Sequence, residues 1–390
     1  MPTASRLLLS ARTFFTLPAP AAFAVPLGLS LNLPSLLPGI FESILRAVPK
    51  KKTSHSKKRM RQLAGKALKD VTALNRCSAC GKVKRSHMLC EHSHSFDIFG
   101  IASTSSHIVS VAGDSNVKVW ELATPKHPLA HVFNGAHRLG AHHVAASTAV
   151  TEPLAATAGF AGEIIIWDLE NMKERSRIEV VSDCDGVWAI AISPKGEQIA
   201  ATTCDGKINV WNTSDMKNMA AQYTTKGSFG MCIDMSADGN LIASGHQNGG
   251  IYIFNNTTER MHHSLQGLVK PIRCVKFSPA GKLLAACGDS NVIGLFDVSS
   301  GEQVANLSGH SSWIFSLAWS TTGEYLVSGS FDGKVKVWSM ETRSCVATQS
   351  EATASVYAVQ WLPKGVSGGE GFVSAGANRT LAFYRETSGE

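Results

Sequence analysis

Residues 309–338 read GHSSWIFSLAWSTTGEYLVSGSFDGKVKVW. Three short runs, WIFSLAWS, EYLVSGS and KVKVWS, are separated by the Gly-bearing turns TTG and FDG. That pattern predicts antiparallel strands joined by tight hairpins. The closing run VKVW returns in altered form as VKVWE at 117, IIIWD at 164, INVWN at 208, IYIFN at 251, IGLFD at 293 and LAFYR at 381. Its aromatics, Trp120, Trp167, Trp211, Phe254, Phe296, Trp338 and Tyr384, are spaced by 47, 44, 43, 42, 42 and 46 residues. One such run is an ordinary strand. Seven at a near-constant step, with four strands to the unit, are the signature of propeller blades. The chain therefore reads as mainly β, with a seven-bladed propeller over residues 94–390.

The repeat resembles the WD-repeat family, and blade six carries that family's hydrogen-bonding set. His310 stands in the Gly-His turn, Ser328 in the second strand, Asp332 in the next turn and Trp338 in the third strand. The resemblance implies that these residues brace the blade rather than catalyse. Parts of the set recur as Ser110, Asp114 and Trp120 in blade one, Asp205 and Trp211 in blade three, and Ser244 in blade four; blades two and seven lack the Asp. Because HSFDIFGIAS aligns with HSSWIFSLAW, His94 takes the place of His310 and opens the propeller.

The formal charge of +7 conceals a division. Residues 1–92 hold 16 Lys+Arg against 3 Asp+Glu, whereas residues 93–390 hold 21 against 27. A basic arm beside an acidic globular body points to nucleic-acid binding by the arm alone. Residues 1–48 have no acid before Glu42, and Arg6 and Arg12 stand among Leu, Ala and Ser, as in a mitochondrial transit peptide. The rival is a membrane span over the uncharged residues 13–41. Pro18, Pro20, Pro26, Pro34 and Pro38 speak against it, since each removes a helix donor.

The module at 49–93 changes composition abruptly. Lys50, Lys51, Lys52, Lys57, Lys58, Arg59 and Arg61 make a run dense enough to neutralise phosphates. Met60, Leu63, Ala64, Ala67, Leu68 and Val71 then fall on one face of a predicted helix. Cys77 and Cys80 are spaced like the first knuckle of a zinc ribbon, and Cys90 follows. A ribbon wants a fourth ligand at position 93, which is Ser93; His92 and His94 are the nearby imidazoles, and three free thiols are the alternative. The segments AVPKKKTSHSKKRMRQ, GKALK and NRCSACGKVKRSHMLCEH resemble small zinc-ribbon protein thirty-two of the mitochondrial large ribosomal subunit. The resemblance implies zinc in the ribbon, with the arm on ribosomal RNA and the large ribosomal subunit, in the mitochondrion.

Within the WD-repeat family, HSFDIFGIAS, GDSNVKVWE, PIRCVKFSPAGKLLAACGDS and NRTLAFYRETSGE resemble the WD-repeat subunit of the superkiller RNA-decay complex. That implies a cytoplasmic or nuclear scaffold gripping a helical-repeat protein and an RNA helicase. Relatives serve transcription and meiotic recombination complexes. No paired carboxylates, nucleophile–base set or phosphate loop recurs at the strand turns, so an enzyme, a small-molecule substrate and a membrane partner are not expected. Since the two modules belong to different compartments, the alternative to a bifunctional chain is the joining of two neighbouring genes.

Three structural expectations complete the reading. Asp97, Phe229 and Trp313 open first strands on the face of the Gly-His turns, where apolar residues mark a partner site or pack between blades. Cys184, Cys204, Cys232, Cys274, Cys287 and Cys345, which lack ligand spacing, are expected as buried or half-buried thiols. After Tyr384 six residues remain, so blade seven should be three-stranded with the edge of TLAFYRE open. Residues 82–91 then stay with the ribbon instead of latching the ring.

Overall fold

The computed structural model describes residues 94–385, apart from 125–126, 150–151, 179–185, 227, 266, 351–354 and 364–370, together with two short strands, Leu74–Arg76 and Val83–Arg85. The transit-like segment, the basic run from Lys50 to Arg61, the helix expected at 60–71, the thiols Cys77, Cys80 and Cys90, and Cys184 lie outside the described residues. Among the described residues no helix is long and apolar enough to cross a membrane.

Blade six shows how local sequence makes the unit. Its strands are Ile314–Trp319, Tyr325–Ser330, Lys334–Ser339 and Ser344–Ser350, paired antiparallel in that order. The turns need a left-handed residue, and Gly323 (φ 78°) and Gly333 (φ 72°) supply it without a Cβ clash. The second strand is covered on both faces, so it is built from small and apolar residues; the outermost strand is almost wholly exposed and polar. Six sheets have four strands in sequence order, and the seventh, Val356–Leu362, Gly371–Gly376 and Ala382–Arg385, has three among the described residues. Val83–Arg85 pairs with Leu74–Arg76 in a hairpin of its own. The rest of residues 82–91 lies outside the described residues.

The core is divided into seven apolar clusters, and each spans two adjacent blades. Every blade is thus stabilised by both neighbours, and the hydrophobic driving force closes the ring. The joint between the last blade and the first follows the same rule. Val373, Ala375 and Leu381 pack on Ile98, Ile108 and Trp120. The backbone N–H of His94 donates to the Arg379 carbonyl at 3.1 Å, and His127 stacks on Phe383 with ring centroids 4.1 Å apart.

The bracing set of blade six is joined as a chain. Trp338 Nε1 donates to Ser328 Oγ (2.9 Å), which lies 2.8 Å from His310 Nε2, and His310 Nδ1 lies 3.0 Å from Asp332. A neutral imidazole completes this chain, with the Ser hydroxyl donating to Nε2 and Nδ1–H donating to the carboxylate. Burial holds His310 below the ordinary histidine value, which favours that neutral form. Burial acts to raise Asp332, but the bond from His310 and the N–H of Ser311 outweigh it and hold the carboxyl low. Blade one repeats the arrangement with His94, Ser110, Asp114 and Trp120 at 2.9 Å in each link. His94 is therefore occupied as a propeller brace.

Blade two has a set that the missing Asp conceals. His137 bonds Glu163 (2.8 Å) and Thr157 (2.7 Å), and Trp167 Nε1 donates to Thr157 (2.8 Å). Glu163 stands two residues later than Asp332 does in its repeat and reaches back with a longer side chain. Gly159 provides the room, since a Cβ there would lie 2.3 Å from Glu163 Oε1 and 2.4 Å from His137 Nδ1.

Candidate partner-docking face

In all seven blades the first strand breaks register with the second immediately after its first residue. A bulge of this kind bends the strand and re-aims one side chain. The residue that follows the first one in each strand is Phe99, His142, Trp188, Met231, Arg273, Phe315 or Tyr357, in blade order. All seven line one axial cavity of about 510 Å³. The repeated bulge therefore collects four aromatics, an imidazole, a thioether and a guanidinium around one mouth.

The rings touch in sequence around it. Phe229 meets Trp188 at 5.2 Å, Trp188 meets His142 at 4.5 Å, and His142 meets Phe160 at 4.7 Å. Phe160 continues to Phe99 (5.8 Å), Phe99 to Tyr357 (5.8 Å), Tyr357 to Phe315 (5.3 Å) and Phe315 to Phe331 (6.2 Å). Trp313 closes on Phe331 at 6.0 Å. Arg273 lies over Trp313 at 4.9 Å and over Phe315 at 5.3 Å, fixed by a two-pronged ion pair with Asp289. Phe160, Trp313 and Phe331 remain 43%, 44% and 50% exposed. Large apolar groups left exposed side by side are a feature that interaction surfaces share.

The three residues singled out in the sequence take different places. Phe229 and Trp313 lie on the rim of this surface, Trp313 exposed and Phe229 half-buried. Asp97 is half-buried and faces Arg379 at 3.6 Å, across the joint of blades seven and one. The bulged residues were missed because they stand two places further on, in a column that is aromatic in blades one, three, six and seven. Below the mouth, His142 Nε2 donates to the Trp188 carbonyl while Nδ1 is without a partner. Burial lowers His142 to about 4 and its neighbour His143 to about 3. Both imidazoles are neutral at physiological pH, so the throat adds no charge of its own from them. Deeper in the cavity wall, Lys276 and Asp234 pair at 2.7 Å between blades four and five.

The comparisons with known proteins show what the chain is similar to. Over 304 residues the chain is 38% identical to meiotic recombination protein rec14 of Schizosaccharomyces pombe, across 77% of this chain and 96% of that protein. The chain belongs to the rec14 family. Antiviral protein SKI8 of Saccharomyces cerevisiae is 26% identical over 384 residues, 76% of this chain and 96% of SKI8. Residues 187–368 also match the second beta-propeller of the echinoderm microtubule-associated protein. The rec14-family propeller is preceded by a different likeness, because residues 47–96 match the ribosomal L32p protein family. Large ribosomal subunit protein bL32m of Neurospora crassa is 64% identical over 76 residues, 20% of this chain and 55% of bL32m. The chain thus spans about half the length of that ribosomal relative, and nearly all of rec14.

Two thiols differ from expectation. Cys204 and Cys345 are exposed, whereas Cys232, Cys274 and Cys287 are buried. Cys345 lies in an outermost strand, and outermost strands have one face in water; Cys204 lies in the turn after the second strand of blade three.

Proposed function

We propose that the propeller is a non-enzymatic scaffold that docks a partner protein on the aromatic mouth. The observation that carries this reading is the bulge repeated in every first strand, which collects one side chain from each of the seven blades around a mouth rimmed by the exposed Phe160, Trp313 and Phe331. The likeness to SKI8 supports a subunit of a superkiller-type RNA-decay complex, gripping a helical-repeat protein and an RNA helicase. The name of rec14 supports a second reading, a scaffold of a meiotic recombination complex. Purification of the endogenous protein through a C-terminal tag separates them. A helical-repeat protein with a helicase is expected on the first reading and recombination factors on the second. Recovery of neither overturns the scaffold role.

The N-terminal module is proposed to bind ribosomal RNA in the mitochondrial large subunit. The hairpin of Leu74–Arg76 with Val83–Arg85 supports a ribbon, since the residues joining its strands include Cys77 and Cys80. Cys77, Cys80 and Cys90 would hold zinc and tie the ribbon's ends. Ser93 is a poor ligand, and His94 is occupied by Asp114 and Ser110. Metal analysis of the reduced full chain should find about one zinc, lost in Cys77→Ser/Cys80→Ser; a metal-free chain refutes the site. The arm should bind RNA with affinity falling steeply with salt, by a slope of about −0.7 per phosphate contact on single strands. Neutralising Lys50, Lys51, Lys52 and Lys57 should flatten that slope, and a salt-indifferent constant would count against phosphate contacts. The alternative, two neighbouring genes joined, predicts that long-read transcripts do not run through codons 85–100.

A further inference from the structure

We propose that Cys274 and Cys287 form a peroxide-sensitive dithiol that closes into a disulfide beneath the aromatic mouth. The two residues are direct partners across the first and second strands of blade five. Direct partners in an antiparallel pair have Cα atoms about 4.5–5.5 Å apart. That range falls inside the separation of about 4.4–6.8 Å that a disulfide accepts. Partners so paired also project from the same face of the sheet. Both thiols belong to the cluster packed between blades five and six.

The setting favours reaction at one sulfur. Cys274 lines the axial cavity, so a small oxidant can reach it, whereas Cys287 is fully buried. Burial pushes the Cys287 thiol well up, so it stays protonated. Cys274, the sulfur that the cavity reaches, therefore supplies the attacking thiolate, and the enclosed Cys287 is the resolving thiol. The thiolate attacks hydrogen peroxide, breaking the O–O bond to give a sulfenic acid and, with one proton, water. Cys287 sulfur then displaces the sulfenic hydroxyl, which leaves as a second water. Two thiols are oxidised and one peroxide is reduced.

The position connects this chemistry to the docking face. Cys274 follows Arg273 directly. Cys287 Sγ donates to the Ile314 carbonyl at 3.5 Å, and Ile314 precedes the bulged Phe315. Disulfide formation removes that donor from the strand that aims Phe315. Cys232 is a built-in control, because the residue facing it across its strands is Gly245 and not a second cysteine.

The test uses the full chain with Cys204→Ser and Cys345→Ser, treated with hydrogen peroxide while folded, then denatured, alkylated and digested. A peptide pair joined through Cys274 and Cys287 and lighter by two hydrogens is expected, with Cys232 alkylated and full reversal by dithiothreitol. Cys287→Ser should abolish the cross-link and leave Cys274 trappable by dimedone. If peroxide leaves both thiols alkylatable in the folded chain, the proposal is overturned. It is equally overturned if Cys274 pairs with Cys232, or only after unfolding.

Discussion

Trp338→Ala is expected to lower the stability of the propeller by about 4 kcal/mol, in the range of about 3–5 kcal/mol for large aromatics removed from a core. Trp338 is 1% exposed and packs with Leu295, Leu307 and Ile314 between blades five and six. Its indole N–H is also the donor at the start of the Ser328–His310–Asp332 chain. Trp338→Phe separates the two contributions. It keeps most of the apolar area and loses one hydrogen bond, so it should cost about 1 kcal/mol. Phe254 and Phe296 occupy the same place in blades four and five. Urea midpoints at constant m-value read both variants. Equal losses for Phe and Ala would show that the hydrogen bond, not the packing, carries the site.

Stability should fall as pH drops from about 7, well before carboxylates titrate. His142 and His143 have folded values of about 4 and about 3, against 6.5 for the unfolded chain. The unfolded chain therefore binds protons first. The stability these groups contribute is full above 6.5 and is lost progressively as pH falls through their folded values. At about 1.4 kcal/mol per unit, the loss is on the order of a few kcal/mol for each. His94, His137 and His310 are lowered too, chiefly by burial, and add to the same slope. Urea midpoints between pH 7.5 and 4.5 should decline steadily, and His143→Gln should decline less. A flat profile over that window would contradict the burial of neutral imidazoles in the throat.

Blade count, strand order and the brace of blade six were legible because each follows from a period or a one-letter pattern. Trp338 and its six counterparts mark the third strand, and Gly323 and Gly333 mark the turns. The brace of blade two was hidden because Glu163 stands out of column and succeeds only with Gly159 beneath it. The proposed docking face was half legible. Trp313 and Phe229 were found as apolar residues at strand starts, but a bulge has no residue signature, and it decides which neighbour enters the mouth. Phe315, Trp188 and Tyr357 look like ordinary strand residues until the register shift is seen. The basic arm was read from charge density alone, which needs no fold.

On the proposed function, the seven bulged residues form the partner-docking surface. This surface is tested most directly by titrating the full chain with the helical-repeat subunit of a superkiller-type complex and measuring Kd. Phe315→Ala and Trp188→Ala, each verified as folded, should weaken binding by about 30-fold or more, the effect of losing about 2 kcal/mol at a hot spot. Met261→Ala and Val346→Ala remove exposed apolar groups from outermost strands and should leave Kd unchanged. Unchanged binding in the two mouth variants, or equal loss in the outer-strand variants, would contradict the claim.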